Sequence, residues 1–502
     1  MKHFSGDKKR KRDDRKKDTR GKRRFRKERT PKDKSFRILE PTSWSAKGEA
    51  VYNEGNRRIL IWSGIPNEKA KHKLVHRGEH QTLMEYVKAK EPHRSRVEPS
   101  CEHYTPCGGC PFMHLNQEGQ KNAKLSMLNG LLESIDGKEF RLDGIEQGEA
   151  LEYRHQIKLV VTTDDGTMKI GVRNRRNQVA PIPNCEVVTK QLRLVAKKLA
   201  HALIRRYKGP QDNRIFAYSA EQPTGLRYIV ARQSRHSGNI HLCFVATHPH
   251  RGYDELADWL LDMPLPVTGV SLHINKDEGN AIFSRTESGA IRSQILRGSK
   301  TIQEKSLGLY YRIGVGDFFQ VNPYMAEKLQ RDLISFAHSY RERPMLDLYC
   351  GVGFFSLALA RAFDSVTGIE GIRGAIERAK DNALINGLKA NFHAGQVEQL
   401  LDQQIKRLER PFVVVDPARR GLEDGVVEGI SNLLPSALAY ISCNPRTLVE
   451  DLQAFQKLGW DILSVKAYDM IPQSAHIEIM AFLKPSNALE GRYRKPKRQI
   501  IR

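Results

Sequence analysis

A chain of 502 residues, 39% of them hydrophobic, has enough apolar material to fold and too much length for one core, so two or three domains are expected. The formal net charge of +25 is the electrostatic signature of a polyanion partner, RNA or DNA. No apolar run nears the ~18 residues that span a bilayer, and the basic N-terminus lacks the apolar stretch of a secretory signal; membrane-spanning and secreted readings are excluded and a cytoplasmic protein is predicted.

Residues 1–37 hold 19 Lys and Arg against six Asp and Glu, about half of the whole excess. Such a segment buries too little apolar surface to offset chain entropy, and it reads as a disordered basic tail that solubilises the chain or touches RNA. Residues 38–97 alternate short apolar runs with turn signals (GEAVYNEG, RRILIWSGIPNE), which predicts a small β-barrel able to present loops and one sheet face to RNA. A central domain of mixed α/β pattern is expected over 98–335. It carries the cysteine cluster and the apolar runs RYIVAR and IHLCFVA. Residues 336–485 repeat strand then helix (PMLDLYC, DSVTGIE, KANFHAG, RPFVVVD, ALAYISC), the mark of a parallel, doubly wound α/β sheet. Two closely spaced apolar stretches, ILSVKAYDM and HIEIMAFLK, are expected to close its edge as an antiparallel pair, and a short basic tail follows over 486–502.

Seven cysteines, an odd number in a long chain without a signal, argue for reduced thiols, metal ligation or catalysis rather than a disulfide framework. CEHYTPCGGC gives Cys101, Cys107 and Cys110 at C-x5-C-x2-C, and Cys185 in IPNCEVV supplies a fourth ligand. Four thiolates suit tetrahedral zinc or a four-iron cluster, and spacing does not choose between them. The C-x3-C-x2-C spacing of radical enzymes is absent.

In DLYCGVGFF, Asp347 ends a buried strand, and Gly351 and Gly353 let the backbone turn tightly into a helix. Glu370, 23 residues on, ends VTGIE, where a carboxylate accepts hydrogen bonds from ribose hydroxyls. With Ser356 in place of a third glycine, and no basic residue for a phosphate, S-adenosylmethionine fits this turn better than NAD or ATP. Gln320, in DFFQVNP, either holds the methionine part of that cofactor or caps a loop.

Carbon 5 of uracil is too weak a nucleophile to attack a methyl sulfonium unaided. A thiolate added at carbon 6 makes the ring an enolate, and a base must later remove the carbon 5 proton. In SCNP, Cys443 sits at the mouth of a buried strand and is the candidate nucleophile, whereas Cys243 and Cys350 lie in apolar runs and read as core thiols. Arg419, after Asp416 in VVVDPARRG, could lower the thiol pKa or bind the base or a phosphate. Glu478, alternating with Ile477 and Ile479, is the candidate general base; a solvent-facing strand glutamate has the same pattern, and His476 reads as structural.

Taken together, the C-x5-CGGC cluster with its distant fourth cysteine, FFQVNP, DLYCGVG, DPARRG, SCNPRTLVEDL and DMIPQSAHIE, in this order, resemble the RNA uracil-5-methyltransferases, in particular the RlmD-type enzymes of 23S ribosomal RNA. The resemblance covers about 38–485. It implies a TRAM-like N-terminal barrel, a 4Fe-4S cluster on Cys101, Cys107, Cys110 and Cys185, and cofactor contacts from Gln320, Tyr349, Glu370 and Asp416. It further implies nucleophile Cys443, base Glu478, and a monomer acting on ribosomal RNA. Three positions depart from the family pattern: Phe354 replaces an asparagine, DPPR has become DPAR, and DMFP has become DMIP. Other readings are a tRNA uracil-5-methyltransferase, an RNA-binding assembly factor that lost turnover through Phe354, and a cytosine-5 enzyme, against which the lone cysteine of SCNP argues.

Overall fold

The computed structural model describes residues 35–491 apart from 136–141, 143, 165, 183, 209–213, 220, 278, 280, 287, 288, 315 and 404–407. Most of both predicted tails lies outside the described residues. Phe36 and Arg37, assigned above to the first tail, already belong to a strand.

Six short strands form the first sheet: β1 (Phe36–Leu39), β2 (Ser43–Trp44), β3 (Ala50–Glu54), β4 (Arg57–Trp62), β5 (Ala70–Arg77) and β6 (Gln81–Ala89). Their order is β1-β5-β6-β4-β3-β2, antiparallel except where β4 meets β6. Alternation places Ile59 and Ile61 in a small core with Leu39, Ala50 and Met84.

Two helices follow, α1 (Tyr104–Cys107) and α2 (Gln117–Leu132). The second sheet then comprises β7 (Gln156–Asp164), β8 (Thr167–Arg173), β9 (Val179–Ala180), β10 (Leu226–Gln233), β11 (Ile240–Ala246), β12 (Val267–Ile274) and β13 (Gln294–Gly298), with α3 (Lys190–Tyr207) and α4 (Arg251–Asp262) interposed. Its order is β13-β12-β11-β10-β7-β8-β9. The run IHLCFVA is central and buried at every position, which is why it is apolar throughout rather than alternating.

A hairpin, β14 (Thr301–Ser306) and β15 (Leu309–Gly314), and helix α5 (Pro323–Ala337) lead into the third sheet. Its elements are β16 (Met345–Leu348), α6 (Phe354–Leu359), β17 (Val366–Glu370), α7 (Arg373–Ile385), β18 (Asn391–Ala394), α8 (Val397–Gln403), β19 (Phe412–Val415), α9 (Val426–Asn432), β20 (Ala437–Ser442), α10 (Pro445–Lys457), β21 (Trp460–Tyr468) and β22 (Glu478–Pro485). The order is β18-β17-β16-β19-β20-β22-β21, with β18 to β20 parallel and the last pair antiparallel. This is the doubly wound sheet expected from the strand and helix alternation.

Packing divides the chain differently from the boundaries drawn at 98 and 335. Successive strand residues face opposite layers: Val414 and Ala439 enter one core, Val413, Val415 and Leu438 the other. Leu128 and Leu132 of α2 join the second of these, so a helix placed by sequence in the central domain covers the third sheet. The hairpin and α5 do likewise on the opposite layer through Ile302, Leu309, Tyr311, Leu329 and Leu333. Each such buried leucine contributes ~1.5–3 kcal/mol, which is what holds these segments to the third sheet.

Candidate active site

Strand β16 pairs with β17 on one side and β19 on the other, so the chain order reverses across it. Doubly wound sheets open a crevice at the carboxyl ends of the strands at such a point. Three carboxylates converge there. Asp347 is fully buried; its Oδ2 accepts from Ser356 Oγ at 2.5 Å, and its Oδ1 has no protein partner. Glu370, at the end of β17, accepts from Ile372 N at 2.8 Å and Gly351 N at 3.2 Å. Asp416 follows β19 directly.

Burial pushes Asp347 up to about 7 and Asp416 up to about 8, and the nearby carboxylates add to both; burial also raises Glu370, against the pull of its backbone donors. A cluster that resists its own negative charge favours a cationic ligand and disfavours phosphates. The turn above it runs through three left-handed residues, Tyr349 (φ 66°), Gly351 (φ 56°) and Gly353 (φ 87°). A Cβ at Gly351 would meet nothing within 4 Å, so that turn borders open space. Gln320 is buried, and among the described residues no hydrogen bond joins its side chain to this cluster; its neighbour Phe319 packs on Phe354, ring centroids 5.1 Å apart. Phe354 itself points into the core against Tyr311 and Phe355.

The tetrad SCNP has a local logic. Ser442 ends β20, Asn444 caps α10 by accepting from Arg446 N at 3.3 Å, and Pro445 takes the first helical turn, where no amide donor is needed. Asn444 Nδ2 also donates to Arg419 O at 2.7 Å, tying the DPARRG loop to the tetrad. Cys443 is left between strand and helix, facing a groove of about 840 Å³ whose walls include Trp44, Arg58 and Arg175 from outside the third sheet. In the antiparallel pairing of β20 and β22, Ser442 lies opposite Ile479, so Cys443 continues the register toward Glu478.

Glu478 is buried, which settles the alternation in favour of an inward carboxylate rather than a solvated one. Burial raises its pKa well above the ordinary range and Asp416 adds to this, while Arg419 opposes it. Burial likewise pushes the Cys443 thiol up to about 11; Glu478 and Asp416 raise it further, and the Arg419 guanidinium lowers it. Thiol, carboxylate and guanidinium therefore form one electrostatic unit. His476 lines the same groove.

Several supporting residues carried no signal of their own in the sequence. The loop leading to Glu478 is held by Lys124, whose Nζ meets Asp469 Oδ1 at 2.5 Å, by Tyr153 OH donating to Pro472 O at 2.9 Å, and by Phe112 N donating to Gln473 O at 3.0 Å. Arg175, 5.1 Å above the Trp62 ring, could have been flagged by the basic run RNRRN.

All seven cysteines are free. Cys243 and Cys350 are buried core thiols, while Cys101, Cys107, Cys110 and Cys185 line one shared cavity, their thiols raised chiefly by burial. Among the described residues no group of three or more His, Cys, Asp or Glu side chains converges so as to hold a single metal ion, and no described helix is long and apolar enough to cross a membrane.

The fold and the crevice define an α/β methyltransferase. Residues 284–486 match the family described as tRNA (Uracil-5-)-methyltransferase. An uncharacterised RNA methyltransferase of Caldanaerobacter subterraneus is 30% identical over 450 residues, covering 88% of this chain and 96% of its own; one of Geobacter sulfurreducens is 28% identical over 479 residues, covering 92% and 93%. The crystal structure of Pyrococcus abyssi tRNA (uracil-54, C5)-methyltransferase in complex with S-adenosyl-L-homocysteine superimposes with a TM-score of 0.69 at 25% identity, over 89% of this chain and 100% of that one. The chain belongs to the family of S-adenosylmethionine-dependent RNA uracil-5-methyltransferases.

Proposed function

We propose that this protein methylates carbon 5 of a uridine in 23S ribosomal RNA through a transient bond between Cys443 and carbon 6 of the base. The observation that carries the mechanism is the placement of Cys443 opposite Glu478 at the ends of paired strands, with the thiol facing an open groove. S-adenosylmethionine, when bound, supplies the methyl group as an electrophilic carbon on a positively charged sulfur. Asp416, Glu370, the Tyr349–Gly353 turn and Gln320 are the residues assigned to hold it, and the unpartnered Asp347 oxygen and mutually raised carboxylates suit a cation.

In the groove, the Cys443 thiol loses its proton to water and its sulfur bonds to carbon 6 as the ring double bond moves its electrons toward carbon 5; carbon 5 then takes the methyl group, whose bond to the donor sulfur breaks with the electron pair left on that sulfur. Arg419 stabilises the thiolate. Glu478 removes the carbon 5 proton, the double bond reforms, and the bond to sulfur breaks.

Ribosomal RNA as the substrate rests on the motif order; tRNA is the second reading, favoured by the Pyrococcus abyssi enzyme's own substrate. Incubation with S-adenosylmethionine and unmodified 23S RNA or tRNA, followed by mass-spectrometric mapping of 5-methyluridine, decides between them. Label appearing only in tRNA would overturn the ribosomal assignment.

The four cysteines are assigned to a 4Fe-4S cluster within a TRAM-bearing architecture whose barrel is the first sheet. What supports the assignment is that Cys101, Cys107, Cys110 and Cys185 line one cavity. Anaerobic purification should yield about four irons per chain; zinc alone would sink this assignment.

A further inference from the structure

A second cleft, of about 930 Å³, shares no lining residue with the methylation groove. It lies against the later turns of α5 and the end of α6 remote from Gly353, so neither the cofactor nor the target base accounts for it. Five basic residues on four separate elements surround it: Arg235 and His236 after β10, Lys305 on β14, Arg331 on α5 and Arg361 beyond α6.

Its acidic groups are already committed. Glu327 pairs with Arg235, and nearby Glu304 accepts from the backbone amides of Arg235 at 2.8 Å and His236 at 3.1 Å. Lys305, Arg331 and Arg361 form no ion pair with any described carboxylate. Arg361 braces the hairpin by donating to Leu307 O at 2.7 Å, which fixes one cation against the left-handed turn Leu307–Gly308. The Tyr310 ring is engaged by His236, centroids 5.6 Å apart, and by Lys305 Nζ at 5.0 Å. The aromatic group is thus taken up by His236 and Lys305, and Lys305, Arg331 and Arg361 present positive charge to the cleft. Positive groups at fixed spacing, without base-reading partners, suit a run of phosphates.

We propose that this cleft is a second, sequence-independent binding site for the phosphodiester backbone of the substrate RNA, remote from the uridine being methylated. The proposal rests on RNA being the substrate, and it adds that affinity for a long RNA exceeds affinity for a short one containing the same target.

Equilibrium binding of full-length 23S transcript and of a short hairpin from it, each measured across a salt series, tests the cleft with wild type, Arg331→Ala and the double variant Lys305→Ala/Arg331→Ala. Arg331 is exposed and unpaired, so the single variant leaves the fold undisturbed. For the long RNA, the slope of log affinity against log salt should fall by about one per cation removed, while the hairpin's slope and the methylation kcat stay as in wild type. Unchanged slopes on the long RNA would overturn the proposal, and so would equal losses on both RNAs, which would move these cations to the target. Absence of 5-methyluridine with the wild-type protein would refute the proposed reaction instead, leaving the binding result to judge the cleft.

Discussion

Gln120 and Gln473, 353 residues apart in the chain, exchange two hydrogen bonds: Gln120 Nε2 donates to Gln473 Oε1 at 2.9 Å, and Gln473 N donates to Gln120 Oε1 at 3.0 Å. Gln473 holds a left-handed backbone (φ 66°), a conformation that costs a non-glycine residue about 1 kcal/mol or more and persists only where its surroundings enforce it. Helix α2 enforces it here, and the next ordered element is the strand that begins with Glu478. The approach to Glu478 is therefore positioned by a helix that the sequence assigns to another domain.

Lys124, one turn further along α2, is buried with Asp469. Lys124→Met leaves that carboxylate buried without its cation, and removal of one partner of a buried pair costs about 3–5 kcal/mol. Denaturant unfolding at neutral pH should show this loss. It should shrink as pH falls and Asp469 takes up a proton, and a loss independent of pH would contradict the pairing.

Replacing Glu478 by Gln keeps the shape of the base and removes its proton-accepting power. Turnover should fall by roughly 10²–10⁴-fold, the usual share of general-base catalysis. A protein–RNA adduct stable to denaturing electrophoresis should accumulate in its place. Cys443→Ala should give neither product nor adduct, and methylation by that variant would remove the covalent step altogether.

Burial raises the thiol of Cys443 to about 11; Glu478 and Asp416 push it the same way, and Arg419 opposes them. Arg419→Met removes the cation that lowers it, so alkylation of Cys443 by iodoacetamide should shift to higher pH. Glu478→Gln removes the charge that raises it, so the same curve should shift to lower pH. Peptide mass spectrometry reads Cys443 apart from the other six cysteines. Shifts of the same sign in both variants would show that the three groups do not act on one another.

The ring of Phe354 packs among Phe319, Tyr311 and Phe355. Phe354→Asn should destabilise the protein by about 3–5 kcal/mol, the scale of truncating a buried aromatic. Cofactor affinity above the unfolding limit should change little, because the ring faces the core rather than the carboxylates. A gain in cofactor affinity at unchanged stability would reverse that reading.

Where the fold rests on regular elements, the sequence by itself was enough. Tight turns need glycine, a helix entry needs Asn444 and Pro445, and central strands need runs such as VVV and LAYI; each of these leaves a local mark, so the crevice, the thiol and the sheet edge were all legible. Glu478 was only half legible, since alternation fixes its face and not what covers that face.

Tertiary structure alone decided the rest. Lys124 and Gln120 look in sequence like ordinary polar residues of a surface helix, and their roles exist only because α2 packs on a sheet formed more than 200 residues later. The same holds for the hairpin and α5, which fall almost wholly within the central domain drawn from the sequence yet bury their leucines against the third sheet. Local propensity and patterning specify which face of an element is apolar, but which distant surface meets that face depends on the packing of the whole chain.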